Sequence, residues 1–299
     1  MAGVERRIMS ENLRELVIDD QEHINILCET IWNGNDYVPA VFPRWISTPD
    51  SYTLGLFRDN ELIACGNIEK TEGTNIGLIQ GLRVKDTQRK KGYATNITIA
   101  LASFAKEIGI TTLWYATSSR NIASITVAQK TGFHEEASTG YFRLYNPFPP
   151  HSKPSLSVVP IQVNPERLFE LLTINPELVE SDKLPLAWHF DYKTIEGLTR
   201  LVSRAVVKIV LDQAGIPQGF YCVTERERKE EKTAAYTVFA TNRAIFVDIM
   251  SRMIDEAQIE EVDRAVFFLG PRATEWAQDL GYVAEEFTGR RFLLYEKKL

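Results

Sequence analysis

The stretch Gln88-Arg89-Lys90-Lys91-Gly92-Tyr93-Ala94 follows an apolar, strand-like run from Ile76 to Val84. It opens a helical pattern with Ile97, Leu101, Phe104, Ala105 and Ile108 on one face. A strand ending in a short loop aims several backbone N–H groups at one spot, and the first helical turn adds unpaired donors and the positive end of its dipole. Gly92 and Ala94 keep bulk away, while Arg89, Lys90 and Lys91 bring positive charge. The chemistry open to such a junction is to hold a phosphate against the main chain. By spacing alone, Arg89-x-x-Gly92-x-Ala94 is equally a turn with solvated lysines. Neither a G-x-x-x-x-G-K-[ST] loop nor a G-x-G-x-x-G turn is present, so nucleoside triphosphates and dinucleotides lack their fingerprint.

The elements that must position this loop alternate between strand and helix. A strand is expected around Leu13–Ile18, a helix from about Asp20 to Trp32, then a loop through Gly34 and Asn35. Tyr52–Phe57 and Leu62–Glu69 read as strands joined by Asp59-Asn60, which is hairpin chemistry. After the phosphate-like junction come a helix ended by Gly109, a strand Leu113–Thr117, a helix Asn121–Thr131 stopped by Gly132, and a strand Tyr141–Tyr145. Prolines 147, 149, 150 and 154 suggest a stiff connector, placing a first domain at 1–148, a linker at 149–156 and a second domain at 157–299.

The second half partly repeats the first. Gly132-Phe133, Glu135-Glu136, Thr139-Gly140 and Phe142-Arg143-Leu144-Tyr145 recur as Gly281-Tyr282, Glu285-Glu286, Thr288-Gly289 and Phe292-Leu293-Leu294-Tyr295, offset by 149 or 150 residues. Met250–Ile259, Ala265–Leu269 and Arg272–Leu280 repeat the preceding helix, strand and helix. The corresponding junction, Val238 to Ala244, has no glycine and no basic run, so it is not expected to hold phosphate. Glu225 to Lys232 reads as a solvated hairpin tip.

Composition narrows the partners. With 34 basic and 40 acidic residues among 299, spread evenly over both halves, the chain lacks the basic surface of a nucleic-acid binder. Cys28, Cys65 and Cys222 are isolated, and His23, His134, His151 and His189 share no ligand spacing, so neither a disulfide framework nor a metal site is indicated. No apolar run approaches the ~18 residues of a membrane span, and a soluble, cytoplasmic protein is expected.

In order, the chain carries Arg89-Lys90-Lys91-Gly92-Tyr93-Ala94, a strand at 113–117, Asn121-Ile122-Ala123-Ser124 and Lys130-Thr131-Gly132-Phe133. This order resembles the GNAT superfamily of acyl-CoA-dependent N-acetyltransferases over about residues 13–146. Asp36-Tyr37-Val38-Pro39, Trp45 with Thr48-Pro49-Asp50, Gln80-Gly81-Leu82-Arg83-Val84, and Leu184-Pro185 with Trp188 and Tyr192 are similar to the vertebrate histidine N-acetyltransferase-like group. The resemblance implies a mixed-sheet α/β GNAT fold in tandem with a degenerate second GNAT-like domain.

It further implies acetyl-CoA as co-substrate and a small-molecule amine, such as an amino acid, as acceptor. The pyrophosphate would rest on Arg89, Lys90, Lys91, Gly92, Tyr93, Ala94 and Thr95, the pantetheine arm on main-chain groups of Leu82, Arg83 and Val84, and Asn121 and Ser124 would face it from the other side. Asn121 is equally a helix cap. A backbone N–H near Leu82 would stabilise the oxyanion.

Two positions depart from the family pattern. Gln80 stands where the histidine-acetylating relative has a glutamate, and Ala128 where many relatives have an acidic tyrosine. Substitutes for proton transfer are Glu69 or Glu72 as base and Tyr115 or Tyr141 as donor, although each also reads as an exposed hairpin carboxylate or a core aromatic. An acyl-CoA-binding module without catalysis, and an acetyltransferase for protein N-termini or lysines, stay open beside the small-molecule enzyme. The oligomeric state is not indicated.

Overall fold

A computed structural model describes residues 12–151, 153, 161–228 and 231–299. The chain forms two compact units, neither continuous in sequence. The first takes Met1–Ala116, Asn121–Glu136 and Leu294–Leu299, and the second takes Thr117–Arg120 and Ala137–Leu293. The chain's last residues return to the first unit. The linker residues 152 and 154–156 lie outside the described residues.

In the first unit the elements are β1 (Asn12–Glu15), α1 (Gln21–Cys28), α2 (Val38–Ser47), β2 (Ser51–Arg58), β3 (Glu61–Lys70), β4 (Ile76–Val84), α3 (Tyr93–Glu107), β5 (Thr112–Ser118) and α4 (Ile122–Lys130). The strands lie in the order β1-β2-β3-β4-β5, antiparallel up to β4 and parallel between β4 and β5. Asp59 and Asn60, at φ 52° and 61°, make the tight β2–β3 turn that their types predict. The chain end lies beside β5, with Leu299 N–H donating to the Thr111 carbonyl at 3.0 Å and Trp114 Nε1 to Glu296 at 2.9 Å.

Helix α2 forms in a segment that carries two prolines, Pro39 and Pro43. Pro39 sits in the first turn, where a missing N–H costs nothing. Pro43 cannot bond back to the Pro39 carbonyl, and Gln21 Nε2 takes that acceptor instead at 3.2 Å. Val38, Phe42 and Trp45, spaced for one helical face, are all buried and pack with Leu16, Ile24, Leu27 and Cys65. The apolar spacing therefore outweighs the breaker, at the expense of one backbone bond.

The second unit contains most of β6 (His134–Tyr145), then β7 (Ile161–Gln162), α5 (Pro165–Ile174), β8 (Lys183–Leu186), β9 (His189–Tyr192), α6 (Ile195–Arg204), β10 (Val206–Leu211), β11 (Pro217–Arg228), β12 (Glu231–Ala240), α7 (Arg243–Ile259), β13 (Arg264–Leu269), α8 (Pro271–Asp279) and the start of β14 (Arg291–Lys298). Its strands run in the order β6-β13-β12-β11-β10-β7. β12 and β13 are parallel, and the other pairs are antiparallel.

Each unit thus has the same plan of four antiparallel strands, a parallel fifth, and a closing strand. The closing strand of the second unit, β6, comes from the first half of the sequence, and the first unit takes the last residues of β14, Leu294–Lys298, from the second half. Among the described residues no helix is long and apolar enough to cross a membrane.

Candidate active site

The loop after β4 has a geometry suited to an anion. Asp86–Gln88 form a single 3-10 turn, Lys90 and Gly92 take left-handed φ values of 62° and 91°, and α3 starts at Tyr93. Gly92 is the N-cap residue and has no side chain to close the helix end. Among the described residues the N–H groups of Gly92, Tyr93, Ala94 and Thr95 donate to no protein atom. No heavy atom lies within 4 Å of where a Gly92 Cβ would stand, so the main chain is open to a ligand. Arg89 is tied to Asp86 at 2.5 Å and Lys91 to Gln88 at 2.9 Å. Lys90 is exposed and makes no ion pair among the described residues.

The strands behind the loop part from one another. β4 and β5 pair from Ile76↔Thr112 to Ile79↔Tyr115 and no further, although β4 runs on to Val84 and β5 to Ser118. A bulge at the same level causes the turn-away, since Gly81 has φ 62° and the register with β3 shifts between Cys65 and Asn67. A Gly81 Cβ would stand 2.3 Å from the Trp45 ring, so only glycine permits α2 to seat on the bulge. Leu82 has no register partner on β3 or β5. Lys85 N–H bonds toward β3, to the Ile63 carbonyl at 2.9 Å. Strand alternation then turns the main-chain groups of Leu82 and Val84 away from β3, into the opening.

Two sides of that opening carry polar groups. On one, Tyr115, the last paired residue of β5, has its hydroxyl 2.5 Å from Ser124 Oγ on α4. Burial pushes the Tyr115 phenol above its ordinary range, so it stays protonated at neutral pH. Asn121 caps α4 by accepting from Ser124 N–H at 3.2 Å. Ala128 is fully buried.

On the other side, Gln80 Nε2 donates to Glu69 at 2.8 Å and to Asn67 Oδ1 at 3.0 Å. Asn67 is buried and donates to Ser51 and Thr53, each at 3.0 Å. Arg44, from α2, reaches the same Glu69 oxygen at 3.3 Å. Asn67 and Arg44 join this group only through the fold, from β3 and α2. The available signal was the amphipathic spacing of α2 and an asparagine inside an otherwise apolar strand.

Arg83, expected at the ligand, has its side chain engaged elsewhere. Its guanidinium pairs with buried Asp36 at 2.5 and 2.7 Å and lies over the Trp32 and Tyr37 rings at 4.8 and 5.1 Å. Its Nη1 also donates to the Leu82 carbonyl at 3.0 Å, bracing the bulge. Burial works against the Asp36 charge, but the hydrogen bonds and charge of Arg83 outweigh it and hold the carboxyl below its ordinary range.

A depressed folded-state value contributes stability that is present above the unfolded value, about pH 4, and lost as pH falls through the folded value. The thermal midpoint is therefore expected to hold from pH 7 to 5 and to drop below about pH 4. An Asp36→Asn variant, less stable at pH 7, should show a shallower acid drop. Equal acid slopes in the two proteins would remove this pair from the acid response.

The junction in the second unit is built differently. β12 and β13 stay paired to Val238↔Leu269, where β13 ends, and Asn242 closes the first turn of α7 by accepting from Ile245 N–H at 3.1 Å. Trp188 and His189 sit at the β8–β9 turn, where Trp188 packs on Phe268. Tyr141 is buried between Arg143 and Arg290. One grouping that sequence spacing hides does appear: ligand atoms of His134, Glu136 and Glu296 lie within 4.8 Å of one another. The Glu296 carboxylate, however, is already held by Trp114 and Lys298.

Comparison with known proteins agrees with this architecture. The family model "Acetyltransferase (GNAT) family" matches residues 15–133. No curated protein matches the chain. Among solved structures, a GCN5-related N-acetyltransferase from Sphaerobacter thermophilus is similar at 11% identity, covering 97% of this chain and 96% of that one, with a TM-score of 0.63. A putative acetyltransferase from Thermoplasma acidophilum is similar at 15% identity, over 96% and 100% of the chains, with a TM-score of 0.58. A tandem GNAT protein from the clavulanic acid biosynthesis pathway reaches 12% identity, over 96% and 98%, at 0.58. At these identities the structural likeness carries the fold alone, while the match to the GNAT acetyltransferase family model covers residues 15–133, the stretch that holds the open loop and the parted strands.

Proposed function

We propose that the protein transfers an acetyl group from acetyl-CoA to the primary amine of a small molecule such as an amino acid. The observation that carries this reading is the Glu69 carboxylate held by the Gln80 amide beside the opening between β4 and β5. The residues present fit the co-substrate: the unpaired N–H groups from Gly92 to Thr95, with Lys90 close by, suit a pyrophosphate. The main-chain groups of Leu82 and Val84 suit the amide-bearing arm. When bound, acetyl-CoA supplies an activated acyl carbon.

The chain's own groups then divide the remaining work. Glu69 accepts the proton of the incoming ammonium, directly or through a water, taking over a task that Gln80 cannot perform. Gln80 and Asn67 fix its rotamer. The Leu82 N–H, which lacks a strand partner, is the donor for charge developing on the carbonyl oxygen. Tyr115, the last β5 residue paired with β4, is a protonated group at the fork, and a thiol of ordinary pKa needs little help to leave. The Arg44 guanidinium, half exposed and bound to Glu69 through a single 3.3 Å contact, is positioned to take the carboxylate of an amino-acid acceptor while Glu69 takes its amine.

A thermal-shift titration with acetyl-CoA, followed by assay of free thiol with a panel of amines, tests this. Stabilisation with thiol release to free amino acids is the expected result. Stabilisation without release from any amine would instead mark an acyl-CoA-binding module, and release only with peptides would mark a protein acetyltransferase. The self-capped α7 and the fully paired β12–β13 support a single acetyl-CoA site in the chain.

A further inference from the structure

The second unit holds three arginines that, among the described residues, form no ion pair. Arg290 lies with its guanidinium carbon 4.7 Å from the Tyr141 ring centre and 5.4 Å from that of Phe287. Arg143 lies 5.5 Å from the same Tyr141 ring and donates to its hydroxyl at 2.7 Å. The contacts completing the group are neutral: Arg290 Nε to Ser118 Oγ at 3.2 Å, and Arg120 Nη2 to the Thr288 carbonyl at 3.4 Å. Arg143 and Arg290 are half-buried, and Arg120 is exposed.

Among the described residues none of the three makes an ion pair. Other partly or fully buried arginines of the chain are matched: Arg83 by Asp36, Arg200 by Asp191 at 2.7 Å, Arg252 by Asp248 at 2.8 Å and Arg264 by Glu231 at 2.9 Å. Burial first, and the positive charges of Arg143 and Arg120 after it, push the Arg290 guanidinium below its ordinary value. Like charges gathered in a partly desolvated place are costly unless an anion joins them. A guanidinium held beside an aromatic ring keeps in-plane donors for the paired oxygens of a carboxylate or phosphate.

We propose that Arg120, Arg143 and Arg290 form an oxyanion-binding site in the second unit, which takes the carboxylate or phosphate of a ligand. It is separate from the loop at Gly92 and does not depend on the acetyl-transfer reading. The serine hydroxyl of Ser118, already within reach of Arg290, supplies a neutral donor at the same place.

The test uses the full chain carrying Gly92→Glu, so that phosphate bound at the α3 loop does not contribute. Sodium phosphate and sodium acetate are titrated by calorimetry and thermal shift at an ionic strength matched with sodium chloride. Saturable binding of at least one is expected, and the stronger of the two identifies the ligand group. In the same background Arg290→Gln should weaken that binding about tenfold or more, the value of one charge-assisted contact. Arg120→Gln, at an exposed position that leaves folding intact, should weaken it about threefold or more. Absence of saturable binding by either anion, or unchanged affinity in the Arg120→Gln protein, would overturn the assignment.

Discussion

Replacing Gly92 by glutamate is expected to lower acetyl-CoA affinity by at least about 100-fold, measured by calorimetry, in a protein that remains folded. Two effects add. At φ 91° a side chain strains the backbone by about 1–2 kcal/mol. Bulk itself meets no protein atom there, since nothing lies within 4 Å. The penalty falls instead on the ligand, because a carboxylate would stand where the N–H groups of Tyr93, Ala94 and Thr95 wait for a pyrophosphate. Gly92→Ala isolates the strain and should cost less than about tenfold. An affinity in the glutamate variant within a few-fold of the parent would remove this loop from the site.

Replacing Glu69 by glutamine is expected to lower turnover by about 10²- to 10⁴-fold, the range for a removed general base, while acetyl-CoA affinity stays unchanged. Glutamine keeps the size of the side chain and an oxygen to accept from Gln80, so packing around Asn67 survives. What disappears is the ability to take a proton. Gln80→Ala should cost less, about tenfold, because it only frees a rotamer that the Arg44 contact still restrains. Full activity in Glu69→Gln would transfer the base role to another group and leave the binding loop standing.

The junction at Gly92 was legible because its signals are local. A glycine, a basic run and an apolar helix face sit within about one helical turn of each other, and the open N–H groups follow from Gly92 having no side chain to cap with. The hairpin at Asp59-Asn60 and the Asn121 cap were legible for the same reason. Helix α2 was not, because its two prolines carry a strong local signal that a remote group, Gln21, neutralises. The Glu69–Gln80–Asn67 network was half legible. Its members lie on β3 and β4, and the register between the strands, which sets Asn67 opposite Gln80 and Glu69 opposite Leu78, decides which side chains share a face.

Proline content marks where the chain is stiff, whereas compactness depends on which strand closes which sheet. The internal repeat pointed to two strands of one kind, Phe142–Tyr145 and Phe292–Tyr295, but identical patterns fit either sheet equally well. A closing strand is recognised by its ladder and its apolar face, and both copies offer the same ones. Sequence therefore showed that the second half partly repeats the first and that the glycine and basic run at Arg89–Ala94 have no counterpart at Val238–Ala244, since these rest on residues close together in the chain. The tertiary structure decided the rest: that the chain end returns beside β5, that Arg83 turns to Asp36, that the Glu69 carboxylate meets the Gln80 amide from the neighbouring strand, and that Arg143 and Arg290, far apart in sequence, meet at Tyr141 with no ion pair among the described residues. Each of these depends on strand register and on distant neighbours, which a local pattern of residues does not encode.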